Sequence, residues 1–188
     1  DYARKIAPDV ILCALGAQPV IPPIPGITGE NVLEVTDCYR HPEKSGQRVV
    51  VLGGGLSGTE LAIFLAKHHG RTCTILEMAP ELNNGNNMVH GLALAVQIKE
   101  NHISVQTSTK CVEITPEGVW GEQNGVRKLY PADTVVVALG LKGRGQQAAE
   151  LSMCAPEFYL IGDCNTPRNI QFTTDEAYHV AMDLGRRG

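Results

Sequence analysis

The chain has 188 residues, 43% of them hydrophobic and 19% charged, with a formal net charge of −4. That length builds one substantial core or two small ones sharing a sheet boundary, and an acidic balance without any basic run gives a nucleic-acid surface no electrostatic support. No apolar run approaches the roughly 20 residues of a bilayer span and the first residues lack a charged-then-apolar leader, so no membrane partner is expected and the expected location is cytoplasmic.

Asp1 to Ala7 is polar and uninformative. Asp9 to Ala14 reads as a short apolar strand leading into Leu15-Gly-Ala-Gln-Pro19. The prolines of Pro22-Pro-Ile-Pro-Gly26 exclude helix and central strand and predict an extended connector. Asn31 to Val35 suggests another strand, Thr36 or Asp37 a cap for a short helix toward His41, and Pro42 to Gly46 a linker.

Then comes the most informative stretch, Arg48-Val-Val-Val-Leu-Gly-Gly-Gly-Leu-Ser-Gly-Thr-Glu60. Val49 to Leu52 is the signature of a strand buried on both faces, Gly53, Gly55 and Gly58 stand in G-x-G-x-x-G spacing, and Thr59 to His69 is a run of helix formers closed by Gly70. Arg71 to Leu76 reads as a second strand with Glu77 at its end. A lone G-x-G-x-x-G is also compatible with a ligand-free turn. Strand, helix, second strand and terminal acid together point to a dinucleotide site, where pyrophosphate meets backbone N–H groups at a helix N-terminus and the acid accepts from a ribose diol. Glu77 could also be a solvated carboxylate at a strand end.

Asn83 to Asn87 reads as a polar loop, followed by a helix from Met88 to Glu100 whose Gly91, Leu94, Ala95 and Ile98 are spaced to face a core. Ile103 to Thr107 and Lys110 to Thr115 alternate as strands. Turns at Pro116-Glu-Gly118 and Asn124-Gly125 then lead into Val119 to Gly121 and Val126 to Tyr130, a small antiparallel meander. Asp133 to Gly140 resumes the buried parallel type, Lys142 to Gln146 is expected as a flexible loop, and Glu157 to Cys164 as a strand ending in Gly-Asp. Thr173 with Glu176 makes a capping box that predicts a final helix starting there. Cys13, Cys38, Cys73, Cys111, Cys154 and Cys164 lack C-x-x-C or metal-ligand spacing, so no metal site or redox disulfide is expected. His68 and His69 end a helix, where the dipole favours a cation.

Val10-Ile-Leu-Cys-Ala-Leu-Gly16 answers Val135-Val-Val-Ala-Leu-Gly140. With Gly53 to Glu60, Tyr159-Leu-Ile-Gly-Asp-Cys164 and Asp163-Cys-Asn-Thr-Pro-Arg168, the chain resembles the two-dinucleotide-domain flavoproteins over nearly its whole length. More closely it resembles the C-terminal region of multidomain NADH:flavin oxidoreductases, the group of 2-enoate reductase, 2,4-dienoyl-CoA reductase and trimethylamine dehydrogenase. The resemblance implies an α/β fold: a Rossmann-like doubly wound parallel sheet with a small antiparallel β-meander, plus part of a second, flavin-binding domain. Residues 45–144 would form the NAD(P)-binding domain, and 1–44 with 145–188 a partial FAD-binding domain. Gly53, Gly55, Ser57 and Gly58 would take the NAD pyrophosphate and Glu77 the ribose. Glu60 would lie near the nicotinamide and Gly140 would border that pocket. Gly162 and Asp163 would belong to the flavin site, with the N-terminus of the last helix approaching the isoalloxazine.

The departures are also informative. The N-terminal G-x-G-x-x-G that holds FAD in such proteins is missing, as is the flavin-bearing catalytic barrel that would be the partner domain, and the Gly-x-x-Pro-Asn continuation reads Gly140-Leu-Lys-Gly-Arg-Gly145. The chain is therefore expected to be a piece of a longer protein, inactive in isolation. Glu77 would repel a 2′-phosphate and Met78-Ala-Pro80 offers no arginine, so NADH is expected over NADPH, with FAD in the parent. The expected function is an NADH-binding module passing hydride to flavin, with no side chain of this chain required as acid or base. The alternative is a non-catalytic ADP- or nucleotide-binding structural or regulatory module. A short-chain dehydrogenase is excluded because no tyrosine has a lysine four residues on.

Overall fold

The computed structural model describes residues 2–82 and 88–186; the expected loop at Asn83 to Asn87 lies outside the described residues. In chain order the elements are α1 (Tyr2–Ile6), β1 (Val10–Cys13), β2 (Ala17–Pro19), β3 (Val32–Glu34), α2 (Val35–Arg40), β4 (Arg48–Leu52), α3 (Leu56–His69), β5 (Thr72–Leu76), α4 (Met88–Glu100) and β6 (Ser104–Gln106). They continue with β7 (Lys110–Thr115), β8 (Gly118–Gln123), β9 (Val126–Pro131), β10 (Thr134–Val137), β11 (Leu141–Gly143), α5 (Gly145–Ala149), β12 (Glu157–Leu160) and α6 (Ile170–Asp183). They group into two units, one of residues 21–140 and one of residues 1–20 with 141–188. No helix of the described residues is long and apolar enough to cross a membrane.

The unit of residues 21–140 is built on a five-stranded parallel sheet in the order β3-β10-β4-β5-β6. Successive side chains of a strand point to opposite faces, so the all-apolar β4 serves two cores at once. Val49 and Val51 pack with Leu61, Ala62 and Leu65 of α3 and with Cys38, Cys73, Ile75 and Val136. Val50 and Leu52 pack on the other face with Val135, Ile114, Val119 and Ala132. Helices thus cover one face and the antiparallel β7-β8-β9 meander the other. Its second hairpin turns on Asn124 and Gly125, both left-handed at φ 51° and 78°, which is the two-residue geometry that matches strand twist.

The second unit pairs β1 with β12 in parallel, Val10 opposite Glu157 and Cys13 opposite Leu160, and β2 with β11 antiparallel. Its core is small: Cys13, Ala148 and Cys164, with Ile11, Leu151, Phe158 and Leu160 against them.

Several expectations differ from the structure. Residues 21–44, expected with the flavin half, belong to the unit of the glycine motif because β3 hydrogen-bonds along β10. The proline stretch is a series of turns, with Ile24 N–H donating to Pro22 O and Ile27 N–H to Ile24 O, and Pro25 O accepts from Ile114 N–H. α2 is capped by the Glu34 carboxylate, which accepts from the Thr36 and Asp37 amides, so the preceding acid outcompetes both expected caps. Lys142 to Gln146, expected as a loop, falls instead in β11, which pairs with β2, and in the start of α5, with Arg144 between them. α6 begins at Ile170 under an Asn169 cap, four residues before the expected start, which releases Glu176 from capping. In α4, Leu94 and Ile98 face the core as expected, but Ala95 is exposed.

Candidate functional site

β4 is the strand at which the order of the parallel sheet reverses. The chain runs from β4 to β5 to β6 on one side and returns to β10 on the other. Open α/β sheets form a crevice beyond the carboxyl ends of their strands at such a point. Gly53 to Gly58 occupies that point, fastened by Gly53 N–H to Leu76 O at 2.9 Å and by Ala138 N–H to Leu52 O at 2.9 Å.

The three glycines of the motif differ in why they are glycine. Gly53 has φ 104°, and a Cβ there would lie 2.3 Å from Ala138 O. A Cβ on Gly58 would lie 2.2 Å from Gly53 O. Both are imposed by the turn and by the close approach of α3 to the strands. Gly55 has φ −72° and ψ −179°, open to any residue, and a Cβ on it would meet no atom of the described residues within 4 Å. The packing of the described residues gives no reason for glycine there; a group approaching the backbone from outside would. Gly55 is the cap of the 14-residue α3 and offers no side chain to its first amides, and Ser57 is exposed on the first turn. This free helix N-terminus fits a pyrophosphate.

Glu77 closes the turn from β5. Its Oε2 accepts from Gly54 N–H at 2.6 Å and its Oε1 from Ala79 N–H at 2.7 Å. The carboxylate is thereby fixed beside the glycines, and the second lone pair of each oxygen remains to accept from a diol. Glu60 sits one turn along α3, with its Oε1 3.4 Å from His90 Nε2 of α4. Gly140 ends β10's unit with φ 98° and open space around its Cα. Gly53, Gly55, Ser57, Gly58 and Glu77 therefore lie together at the carboxyl ends of β4 and β5, while Glu60 is tied to a neighbouring helix.

Gly162 and Asp163 lie in the other unit, on a cleft of about 390 Å³ lined by Ala14, Gly16, Arg168, Asn169 and Thr173 among others. Gly162, at φ 65°, donates its N–H to Glu176 Oε2 at 2.6 Å, and Glu176 Oε1 accepts from Asn165 Nδ2 at 2.7 Å. Asp163 Oδ1 accepts from Arg168 N–H at 3.2 Å. Sequence marks Glu176 as a capping residue and Gly16 as the end of a repeated strand motif, and neither as a site residue. The signal for Gly16 was the shared Ala-Leu-Gly of Ala14 to Gly16 and Ala138 to Gly140, both ending in a left-handed glycine. His68 and His69 pack around Phe64, with ring centroids 5.8 and 4.8 Å away.

All six cysteines are unpaired thiols. Burial pushes the Cys73 thiol up to about 12 and the Cys38 thiol up to about 11, with Arg71 opposing in both cases. Burial likewise raises Cys111 to about 11. At neutral pH these groups are protonated and poor nucleophiles. A raised folded-state value means the native protein keeps protons that the unfolded chain releases above the ordinary thiol value of 9.0. The stabilisation is whole below pH 9 and is lost as pH climbs toward 12. The denaturation midpoint is expected to fall over that window, and Cys73→Ala is expected to flatten the fall; equal slopes for the two proteins would refute it.

Residues 1–183 match the family model described as pyridine nucleotide-disulphide oxidoreductase. The cinnamate reductase of Clostridium sporogenes is 32% identical over 98% of this chain and 28% of its own length. The bilirubin reductase of Mediterraneibacter gnavus is 31% identical over 94% of this chain and 28% of its own. A solved 2-naphthoyl-CoA reductase in complex with 2-naphthoyl-CoA superposes with a TM-score of 0.89 at 28% identity, covering 96% of this chain and 28% of that one. The chain spans less than a third of each of these proteins.

Proposed function

Because the chain belongs to the pyridine nucleotide-disulphide oxidoreductase family, we propose that residues 21–140 are the NADH-binding module of a flavin-dependent oxidoreductase. The reading is supported by Gly55, a glycine that the packing of the described residues does not require, at the start of α3 where no side chain of the described residues caps it, and beside a fixed Glu77. In this reading the amides at the start of α3 and the Ser57 hydroxyl hold the pyrophosphate. The Glu77 carboxylate takes the adenosine ribose and disfavours a 2′-phosphate. Glu60, steadied by His90, positions the carboxamide end. When bound, the nicotinamide supplies a hydride that a flavin accepts, and no side chain of this chain moves a proton in that step.

Gly162, Asp163 and the start of α6 contribute the part of a flavin site carried by the smaller unit. The left-handed Gly162 and the open space at Gly16 let backbone approach a ligand closely there. The remaining flavin contacts and the substrate chemistry come from other parts of a longer protein, one that relays electrons to a flavin-bearing barrel. Separated from that protein, the 188-residue piece is expected to be inactive.

Titration of the chain with NADH, NADPH and ADP, followed by nicotinamide fluorescence and calorimetry, tests the reading. NADH binding tighter than both others supports an electron-input module. Equal binding of ADP and NADH assigns a non-catalytic nucleotide module instead, and no binding removes the proposal.

A further inference from the structure

The outward face of α4 has no charge along most of its length. Met88, Val89, Leu92 and Val96 are 78%, 74%, 64% and 54% exposed, and the exposed residues between them are Ala93 and Ala95. The polar groups of this helix are turned elsewhere or lie at its end. His90 reaches Glu60 on α3, Gln97 accepts from Lys67 of α3, and Lys99 and Glu100 close the last turn. A helix lying on a sheet ordinarily shows water a charged face. This one is apolar on both sides, with Leu94 buried and Ile98 packed against the core beneath.

Val89, Leu92 and Val96 follow the 3–4 spacing of a helix–helix seam, flanked by small residues that let two backbones come close. Together with Met88 they offer on the order of 500 Å² of apolar surface, within the range of a monomer's largest patch, which is often functional. Two such faces would bury roughly 1,000 Å², the lower bound for a specific interface.

We infer that α4 is a self-association face, on which a second copy of this chain docks its own α4 antiparallel about a two-fold axis. With the axis at Leu92, that residue meets its own counterpart while Val89 lies opposite Ala95 and Met88 opposite Val96 of the other copy. The seam carries no charge that would select a chemically different protein, and self-complementary apolar patches are what two-fold dimers use. Lys99 and Glu100 fall outside the seam as a polar rim. The inference is independent of nucleotide binding.

Light scattering coupled to gel filtration, on the full chain at micromolar concentration, is expected to give twice the mass of one chain. Leu92→Glu is expected to halve it while leaving the far-ultraviolet circular dichroism unchanged, because position 92 is on the surface of the monomer. Leu92→Cys is expected to form an intermolecular disulfide under mild oxidation, and Ala149→Cys, on the other unit, to form none. A monomeric wild type assigns the face to a different polypeptide or to another part of a longer protein, and overturns the inference. So does a dimer that survives Leu92→Glu or fails to cross-link through position 92.

Discussion

Alanine at Gly55 is expected to leave stability within about 1 kcal/mol of the parent, while NADH binding weakens at least about tenfold, roughly 1.4 kcal/mol. The backbone at Gly55 is in an extended conformation that alanine adopts freely, and its methyl group would meet no atom of the described residues within 4 Å. Among the described residues it has nothing to obstruct, so its expected effect falls on a ligand. Gly58→Ala supplies the contrast. Its methyl group would be driven into Gly53 O and against Ala138 Cβ, and backbone on one side and a strand on the other leave no room to relax. A cost of about 3 kcal/mol or more is expected in that case. Denaturant midpoints and calorimetric titration, run on both variants, separate the two effects. Unchanged NADH affinity in Gly55→Ala would show that the turn is not where the pyrophosphate sits.

Glu77→Ala should damage both properties at once. Its two oxygens accept from Gly54 and Ala79 amides, and Gly54 is buried, so truncation strands a donor away from water. Losing two charge-assisted hydrogen bonds of this kind is expected to cost about 2 to 3 kcal/mol. In the titration, discrimination between NADH and NADPH should disappear along with the carboxylate that repels the extra phosphate. Glu77→Gln is the sharper variant. Glutamine has one acceptor oxygen and one donor NH₂, so it satisfies one amide and opposes the other. Its stability should fall between parent and alanine, and its NADH preference should weaken because the charge is gone. A glutamine variant with undiminished preference would mean that shape, not charge, sets the choice.

Local sequence carried the centre of this fold because the information there is local. Val49 to Leu52, the three glycines and the helix formers to His69 each encode their own conformation, and Gly70 terminates α3 in a left-handed cap. The meander was legible for the same reason, through Asn124-Gly125. What sequence misplaced depends on partners far along the chain. β11 exists because β2 lies beside it, and nothing in Lys142-Gly-Arg-Gly announces a strand. Glu176 matched a capping box with Thr173 but serves Gly162 and Asn165 instead, a role set by where β12 delivers its loop. The candidate site divides likewise. The spacing of Gly53, Gly55 and Gly58 marked the crevice, whereas the distinction between glycines needed for packing and the one left free required coordinates. The bare face of α4 was hidden because its inner and outer residues are equally apolar, so periodicity alone could not say which side was covered.

The pairing of β1 with β12 has a consequence for biosynthesis. Val10 leaves the ribosome before the 21–140 unit, but its partner Glu157 emerges only after every residue of that unit has been made. That intervening unit is continuous in sequence and its sheet closes within itself, so it can fold while translation proceeds, as domains generally do. β1 must wait, with Ile11 and Cys13 lacking the core they later share with Ala148 and Cys164. Pairing across so long a separation is slow, because the loop must close before any contact rewards it. The prefolded unit shortens that loop by holding residues 21 and 140 as parts of one body. The smaller unit therefore completes itself only after the larger one, and a mutation that slows the folding of the larger delays both.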